Sequence, residues 1–241
     1  MRICVSGTKS QGKSTFIKDF LDEWSMYETP AETYREVLKK EKLSHAQSTN
    51  KDTQWKILNC MIDNFQSYSK DDKVIYNGGP LDNLAYTMWA YSKDLGDIDN
   101  EFVKKSVTLV RESMAYIDMI FLMPITSVSP MEYTDATDED IEFYEEIDNI
   151  FKALKYDWSI NEGSKIFDPR DKPAIIDVFG SEQERVQISK LYIDEDGKLM
   201  GGEGEAALLT EEDIREQEML KAQFGISDNT TKALQNPKGY Q

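Results

Sequence analysis

Histidine and cysteine are almost missing from this chain of 241 residues, which has one histidine, His45, and two cysteines, Cys4 and Cys60. A zinc centre of the Cys/His type has no ligand set here, because His45 has no cysteine or histidine close to it in sequence. His45 reads as a surface loop residue between Leu43 and Gln47. Two cysteines in apolar stretches make no disulfide framework and read as buried thiols of a reducing compartment. Positive charge is also scarce: 28 Lys and Arg stand against 45 Asp and Glu, for a net charge of −17. Such a surface repels phosphate backbones and anionic lipid, so any contact with nucleic acid needs a local basic groove. Long apolar runs are absent too, none approaching the roughly 18 residues of a membrane span. The N-terminus enters a strand pattern within two residues rather than a signal-peptide pattern, and the expected location is the cytoplasm.

What is present is the material of one α/β domain. Hydrophobic residues make up 39% and aromatics 11% of the chain, enough for a core. Short apolar runs at 3–5, 26–29, 73–76, 117–124 and 174–178 read as buried strands. Apolar residues at helical spacing predict helices over 13–24, 52–68, 81–91, 100–115, a segment ending near 154, and 183–192. Strands alternating with helices predict a three-layer fold, a parallel sheet of about five strands with helices on both faces. This domain is expected over 1–193. Residues 194–241 form an acidic extension punctuated by glycine, with a short helix over 210–224 capped by Thr210. The tail from 227 onward has too few apolar residues to order itself without a partner.

Chemistry concentrates at Gly7-Thr8-Lys9-Ser10-Gln11-Gly12-Lys13-Ser14, which satisfies G-x-x-x-x-G-K-[ST] between a strand and a helix. The glycines let backbone N–H groups turn inward around phosphates, and the helix N-terminus adds partial positive charge. Lys13 neutralises the β- and γ-phosphates and the Ser14 hydroxyl reaches Mg²⁺, with Thr15 completing the cradle. ATP with Mg²⁺ is therefore the expected cofactor pair. The motif gives the ligand and leaves the reaction open. No N-K-x-D segment supports a GTPase. The AAA+ and helicase classes are weakened by the lack of room for a lid domain and of a strand ending in Asp-Glu. A small kinase-like P-loop domain remains.

In order of features over residues 1–193, the sequence resembles bacteriophage P-loop kinases of the thymidylate-kinase-like and nucleoside-kinase-like group. Besides the P-loop, the resemblance rests on Glu28-Thr29-Pro30-Ala31-Glu32-Thr33-Tyr34-Arg35, which looks like an acceptor segment. It also rests on Val74 through Tyr86, containing Pro80-Leu81-Asp82-Asn83-Leu84, and on a lid region over about 125–140. The resemblance implies a phosphotransferase moving the γ-phosphoryl of ATP to a hydroxyl of a nucleoside, nucleotide or nucleobase-type acceptor. Its sharpest specific candidate is 5-hydroxymethyluracil in phage DNA, which would put the protein in a host cytoplasm. Lys13, Asp82 and Arg170 are then the catalytic candidates, and Ser14 and Asp82 the metal ligands. Glu32, Tyr34, Arg35 and Asn77 are candidates for acceptor binding, with Trp55 a second stacking candidate. Arg35, Lys39, Lys40 and Lys42 would supply a basic groove for modified DNA. The oligomeric state stays open, a homodimer included.

The sequence also departs from that pattern. Where such kinases close the third strand with Asp followed by Arg, this chain has Asn77 and Gly78. An amide cannot serve as general base or give a carboxylate to Mg²⁺. Lids of related kinases supply arginines, yet no Arg or Lys lies between Pro124 and Lys152. Either Asp82 or Glu32 has taken over the carboxylate's role, or Asn77 is a change that silences a kinase, or the protein binds nucleotide with little transfer. An adaptor or switch that docks through 210–241 and a simple ATPase stand beside the kinase reading. Blander readings apply to single residues. Asp82 suits a helix N-terminus, Glu32 and Arg35 a surface ion pair, Tyr34 and Trp55 a core, and the carboxylates of 135–148 a solvated face.

Overall fold

A computed structural model describes residues 1–31, 33–43, 46–127, 129, 136–159 and 163–200. Glu32, His45, much of the lid region, and the extension beyond 200 with its expected helix lie outside the described residues. In chain order the elements are β1 (Arg2–Ser6), α1 (Lys13–Glu23), α2 (Tyr34–Glu41), α3 (Lys51–Gln66), β2 (Val74–Asn77), α4 (Pro80–Ser92), α5 (Asn100–Ser113), β3 (Met119–Leu122), α6 (Asp138–Ser159), β4 (Ala174–Asp177) and α7 (Glu182–Lys190). Among the described residues the sheet has four strands, all parallel, in the order β2-β1-β3-β4.

Alternation along each strand sorts the core into two layers. Ile3, Val5, Ile75, Met119 and Phe121 pack with Phe16, Ile17 and Phe20 of α1 and Val186 and Ile188 of α7. Cys4, Val74, Tyr76, Ile120 and Leu122 face the other way, onto Leu58 of α3, Leu84 of α4, Val110 of α5 and Phe151 of α6. The expected three layers are therefore present, with α1 and α7 on one face and α3 to α6 on the other.

The segment 26–29, expected as a strand, contributes one parallel bridge, Glu28 with Val74. Residues 25–26 form a turn closed by the Tyr27 N–H on the Trp24 carbonyl (3.0 Å), and Pro30 has no N–H to extend the ladder. Conversely, α2 occupies a stretch read only as an acceptor segment. Its start is a capping box in which the Thr33 N–H donates to the Glu36 carboxylate at 2.8 Å. Cys4 is buried as expected, and Cys60 on α3 is only partly so, because its helix turns that face toward solvent.

Candidate functional site

The P-loop leaves the C-terminal edge of the sheet between β1 and α1, where strand ends converge in open α/β sheets. Gly7 has φ 145° and an added Cβ would lie 2.7 Å from the Met123 carbonyl oxygen, so only glycine lets the loop pass β3 this closely. Gly12, with φ 80°, starts α1 in the left-handed region. The first turn of α1 carries no acidic residue and no side-chain cap, which leaves its N–H groups directed at an anion.

Three side chains set the loop. Lys13, half-buried, folds its ammonium over the carbonyls of Gly7 and Thr8, the latter at 2.7 Å. Burial lowers its pKa, and the nearby Asp82 carboxylate opposes that shift. Asp82, in the first turn of α4, is 5% exposed. Its Oδ2 accepts from the Ser6 hydroxyl (2.7 Å) and the Gly79 N–H (3.0 Å), and its Oδ1 accepts from the Gly7 N–H (3.3 Å). Burial pushes its carboxyl upward, against the pull of Lys13 and these donors. Asn77, at the end of β2, donates from Nδ2 to the Ser14 hydroxyl at 2.9 Å, and its Oδ1 has no partner among the described residues.

A cavity of about 660 Å³ opens from the loop and runs under α2 to α3 and α4. The loop end is lined by Lys9, Lys13, Ser14 and Thr15, and the far end by Tyr34, Gln54, Ile57, Met61, Asn83 and Tyr86. Buried amides order that end. Asn83 Nδ2 donates to Gln54 Oε1 (2.6 Å) and to the Gln54 carbonyl (3.1 Å), while Gln54 Nε2 donates to Thr49 Oγ1 (2.8 Å). A flipped Asn83 would set its oxygen against the Gln54 carbonyl, so the network has one polarity. Asn83 Oδ1 is left without a partner among the described residues. Burial raises the Tyr86 phenol, with Asp82 and Tyr34 adding to the shift.

The sequence-derived candidates now separate. Lys13, Ser14, Tyr34, Arg35, Asn77 and Asp82 come together around one cavity. Asp82, in the same lining, has both oxygens hydrogen-bonded beneath the loop, to Ser6, Gly7 and Gly79. Arg170 does not reach the site. It precedes β4, whose Ala174 is in register with Met119 and thereby with Ile3, at the sheet edge opposite the P-loop. There it pairs with Asp168 at 3.0 Å. Trp55 stacks under Lys105 Nζ (4.1 Å) and beside Phe102 of α5, away from the cavity lining.

Sequence reasoning missed Arg185, Gln54, Asn83 and Tyr86. Arg185, near the start of α7, donates to the Gln11 carbonyl (3.0 Å) and to Ser129 Oγ (2.9 Å), tying the loop to the base of the lid region. Its signal was position, since it lies just past the end of β4, on the same sheet edge as the P-loop. Gln54 was legible as the polar member of the stripe Gln54, Leu58, Met61 and Phe65 on α3.

Strand order, helix layers and a complete phosphate loop make this a three-layer α/β nucleotide-binding domain of the P-loop kinase-like kind. The AAA domain family matches residues 2–164, more than half of the chain, and the protein belongs to that family. No curated protein matches the sequence. Among solved structures, NadR protein in complex with NAD and AMP-PNP aligns at 14% identity with TM-score 0.52, over 85% of this chain and 51% of that one. NadR in complex with NR aligns at 15% identity and TM-score 0.50, over 79% of this chain and 48% of the other. The chain thus spans about half the length of NadR. Deoxyadenosine kinase from M. mycoides, with products dCMP and dCDP bound, aligns at 13% identity and TM-score 0.51, over 78% of this chain and 95% of that one. These likenesses show the fold.

Proposed function

We propose that the protein is an ATP- and Mg²⁺-dependent phosphotransferase acting on a nucleoside- or nucleotide-type acceptor. One observation carries this reading: the cavity continues from Lys13 and Ser14 to a second set of recognition groups, Tyr34, Gln54 and Asn83, which the P-loop does not need. An ATPase or switch has no use for such a chamber. Its buried amides suit the edge of a nucleobase, with Ile57 and Met61 as its apolar wall. The similarity to a deoxyadenosine kinase crystallised with deoxynucleotide products points to the same acceptor class. Lys13 binds the donor phosphates, Tyr34 and the amides orient the acceptor, and Arg35 offsets charge on the transferred group.

The residues present fit Mg²⁺ of the phosphate-supported kind. Ser14 Oγ and the unpartnered Asn77 Oδ1 would face it, both neutral, so most of the ligand charge would come from the nucleotide. The ion supplies charge neutralisation between β- and γ-phosphates.

A second reading, a nucleotide-binding adaptor or switch, is favoured by Asn77 itself. Release of ADP from Mg-ATP separates the two when run with nucleosides, nucleoside monophosphates and DNA containing hydroxymethyluracil, the narrowest candidate. Acceptor-dependent ADP establishes the kinase. Asn77→Asp is expected to lower the Mg²⁺ requirement about tenfold by adding a carboxylate. Tight ATP binding with no ADP from either protein leaves the adaptor.

A further inference from the structure

The fold brings Arg185 to the back of the phosphate loop through a fixed start of α7. β4 ends at Asp177, and Ser181 then caps α7, its hydroxyl accepting from the Glu184 N–H at 3.3 Å. The Ser181 N–H donates in turn to the Glu184 carboxylate at 2.7 Å. One residue further on, the Arg185 side chain meets the loop: a Cβ placed on Gly12 would lie 2.8 Å from its Nη1. Gly12 lines the cavity and neither Gln11 nor Arg185 does, so the guanidinium stands behind the loop.

That place is a poor one for stability alone. The N-terminus of α1 carries partial positive charge, which disfavours a cation beside it. Burial lowers the Arg185 pKa as well, with Glu182 opposing. What the guanidinium gains is a fork: Nη1 donates to the Gln11 carbonyl (3.0 Å) and Nη2 to the Ser129 hydroxyl (2.9 Å). Ser129 is itself held, because its N–H donates to the Thr126 carbonyl (3.2 Å) and the Thr126 N–H donates back to the Ser129 carbonyl (3.3 Å). Ile125, one residue before that turn, is pinned to α6. Its N–H donates to Asp148 at 2.9 Å, and its carbonyl accepts from Lys152 Nζ at 3.2 Å. One planar group thus joins the phosphate loop to the turn that follows β3.

A trans peptide points its carbonyl and its N–H in opposite directions. With the Gln11 carbonyl held by Arg185, the Gly12 N–H is turned away from α7, toward the side of the loop that faces the cavity. That N–H precedes the row of α1 amides, for which no side chain supplies a cap. We propose that Arg185 is a positioning residue of the donor site. It holds the Gln11–Gly12 peptide so that the Gly12 N–H faces the donor phosphates, and Ser129 holds Arg185 in that pose. The charge of the guanidinium, set behind the same amides, adds to their pull on an anion. The inference rests on nucleotide binding at the P-loop, which the kinase and adaptor readings share, and on no particular acceptor.

The test is ATP binding by titration calorimetry, with thermal unfolding recorded in the presence and absence of ATP. Arg185→Met should raise Kd for ATP about tenfold, and Arg185→Lys, which keeps the charge and loses the fork, should recover part of the affinity. Ser129→Ala should raise Kd about threefold. The double variant should bind no more weakly than Arg185→Met alone, because Ser129 acts only through Arg185. Without ATP the Tm of Arg185→Met should stay within about 2 °C of the unsubstituted protein, while the rise in Tm on adding ATP shrinks. A lower Tm without ATP together with an unaltered Kd would make Arg185 a strut of the fold and overturns the inference. So do losses of affinity that add in the double variant. An unsubstituted protein that binds no ATP overturns nucleotide binding itself, and the inference with it.

Discussion

The two helices that flank the P-loop differ in how they are held. α4 buries most of its length, from Pro80 to Ala90, and sends Asp82 beneath the loop. α2 buries no residue; its attachments to α3 include the pair Lys56–Glu41 at 2.7 Å, an exposed contact that water and salt screen. The P-loop is thus braced from within the core, while Arg35 and Lys39 of the cavity lining ride on a lightly attached helix. Rigid support suits a ligand common to many enzymes. A peripheral helix suits the part of the site that distinguishes one acceptor from another, because its changes cost the core little.

Substitutions can break this contrast or sharpen it. Lys13→Met is expected to have the largest effect, lowering turnover about a thousandfold in a steady-state ADP assay, because it removes charge aimed at the phosphates. Asp82→Ala should cost about 3 kcal/mol in urea unfolding, since it strands three buried donors and the charge of Lys13. A stable Asp82→Ala protein would show that α4 does not brace the loop. Arg185→Met should come next, raising KM for ATP about tenfold by releasing the loop from Ser129, with a smaller rise in Arg185→Lys. Arg170→Ala should leave turnover unchanged within about twofold, because its effect would have to cross the whole sheet.

The P-loop was legible outright, because eight consecutive residues carry the function and their spacing is the mechanism. The layers were legible too, since buried parallel strands announce themselves as runs such as Met119-Ile120-Phe121-Leu122. What sequence could not order was distance across the fold. Arg170 and Arg185 are fifteen positions apart and both flank β4, yet strand direction sends one away from the site and the other onto it. Asp82 looked available because nothing local reveals that Ser6 and Gly7, some seventy-five residues earlier, close over it. The start of α2 was written in Thr33-Tyr34-Arg35-Glu36, but its weak apolar content hid the helix behind the acceptor reading.

The strand order has a consequence for the chain while it is being made. β1 sits between β2 and β3, so it is paired on both sides only after Leu122 has emerged from the ribosome. At synthesis rates of about 5–20 residues per second, Ile3-Cys4-Val5 waits on the order of ten seconds for its second neighbour. Over that interval the phosphate loop lacks the carbonyl of Met123 against which Gly7 is fitted. A nucleotide that binds this loop would find its full cradle only on the finished domain, and would favour that domain by binding the native state and drawing the folding equilibrium toward it.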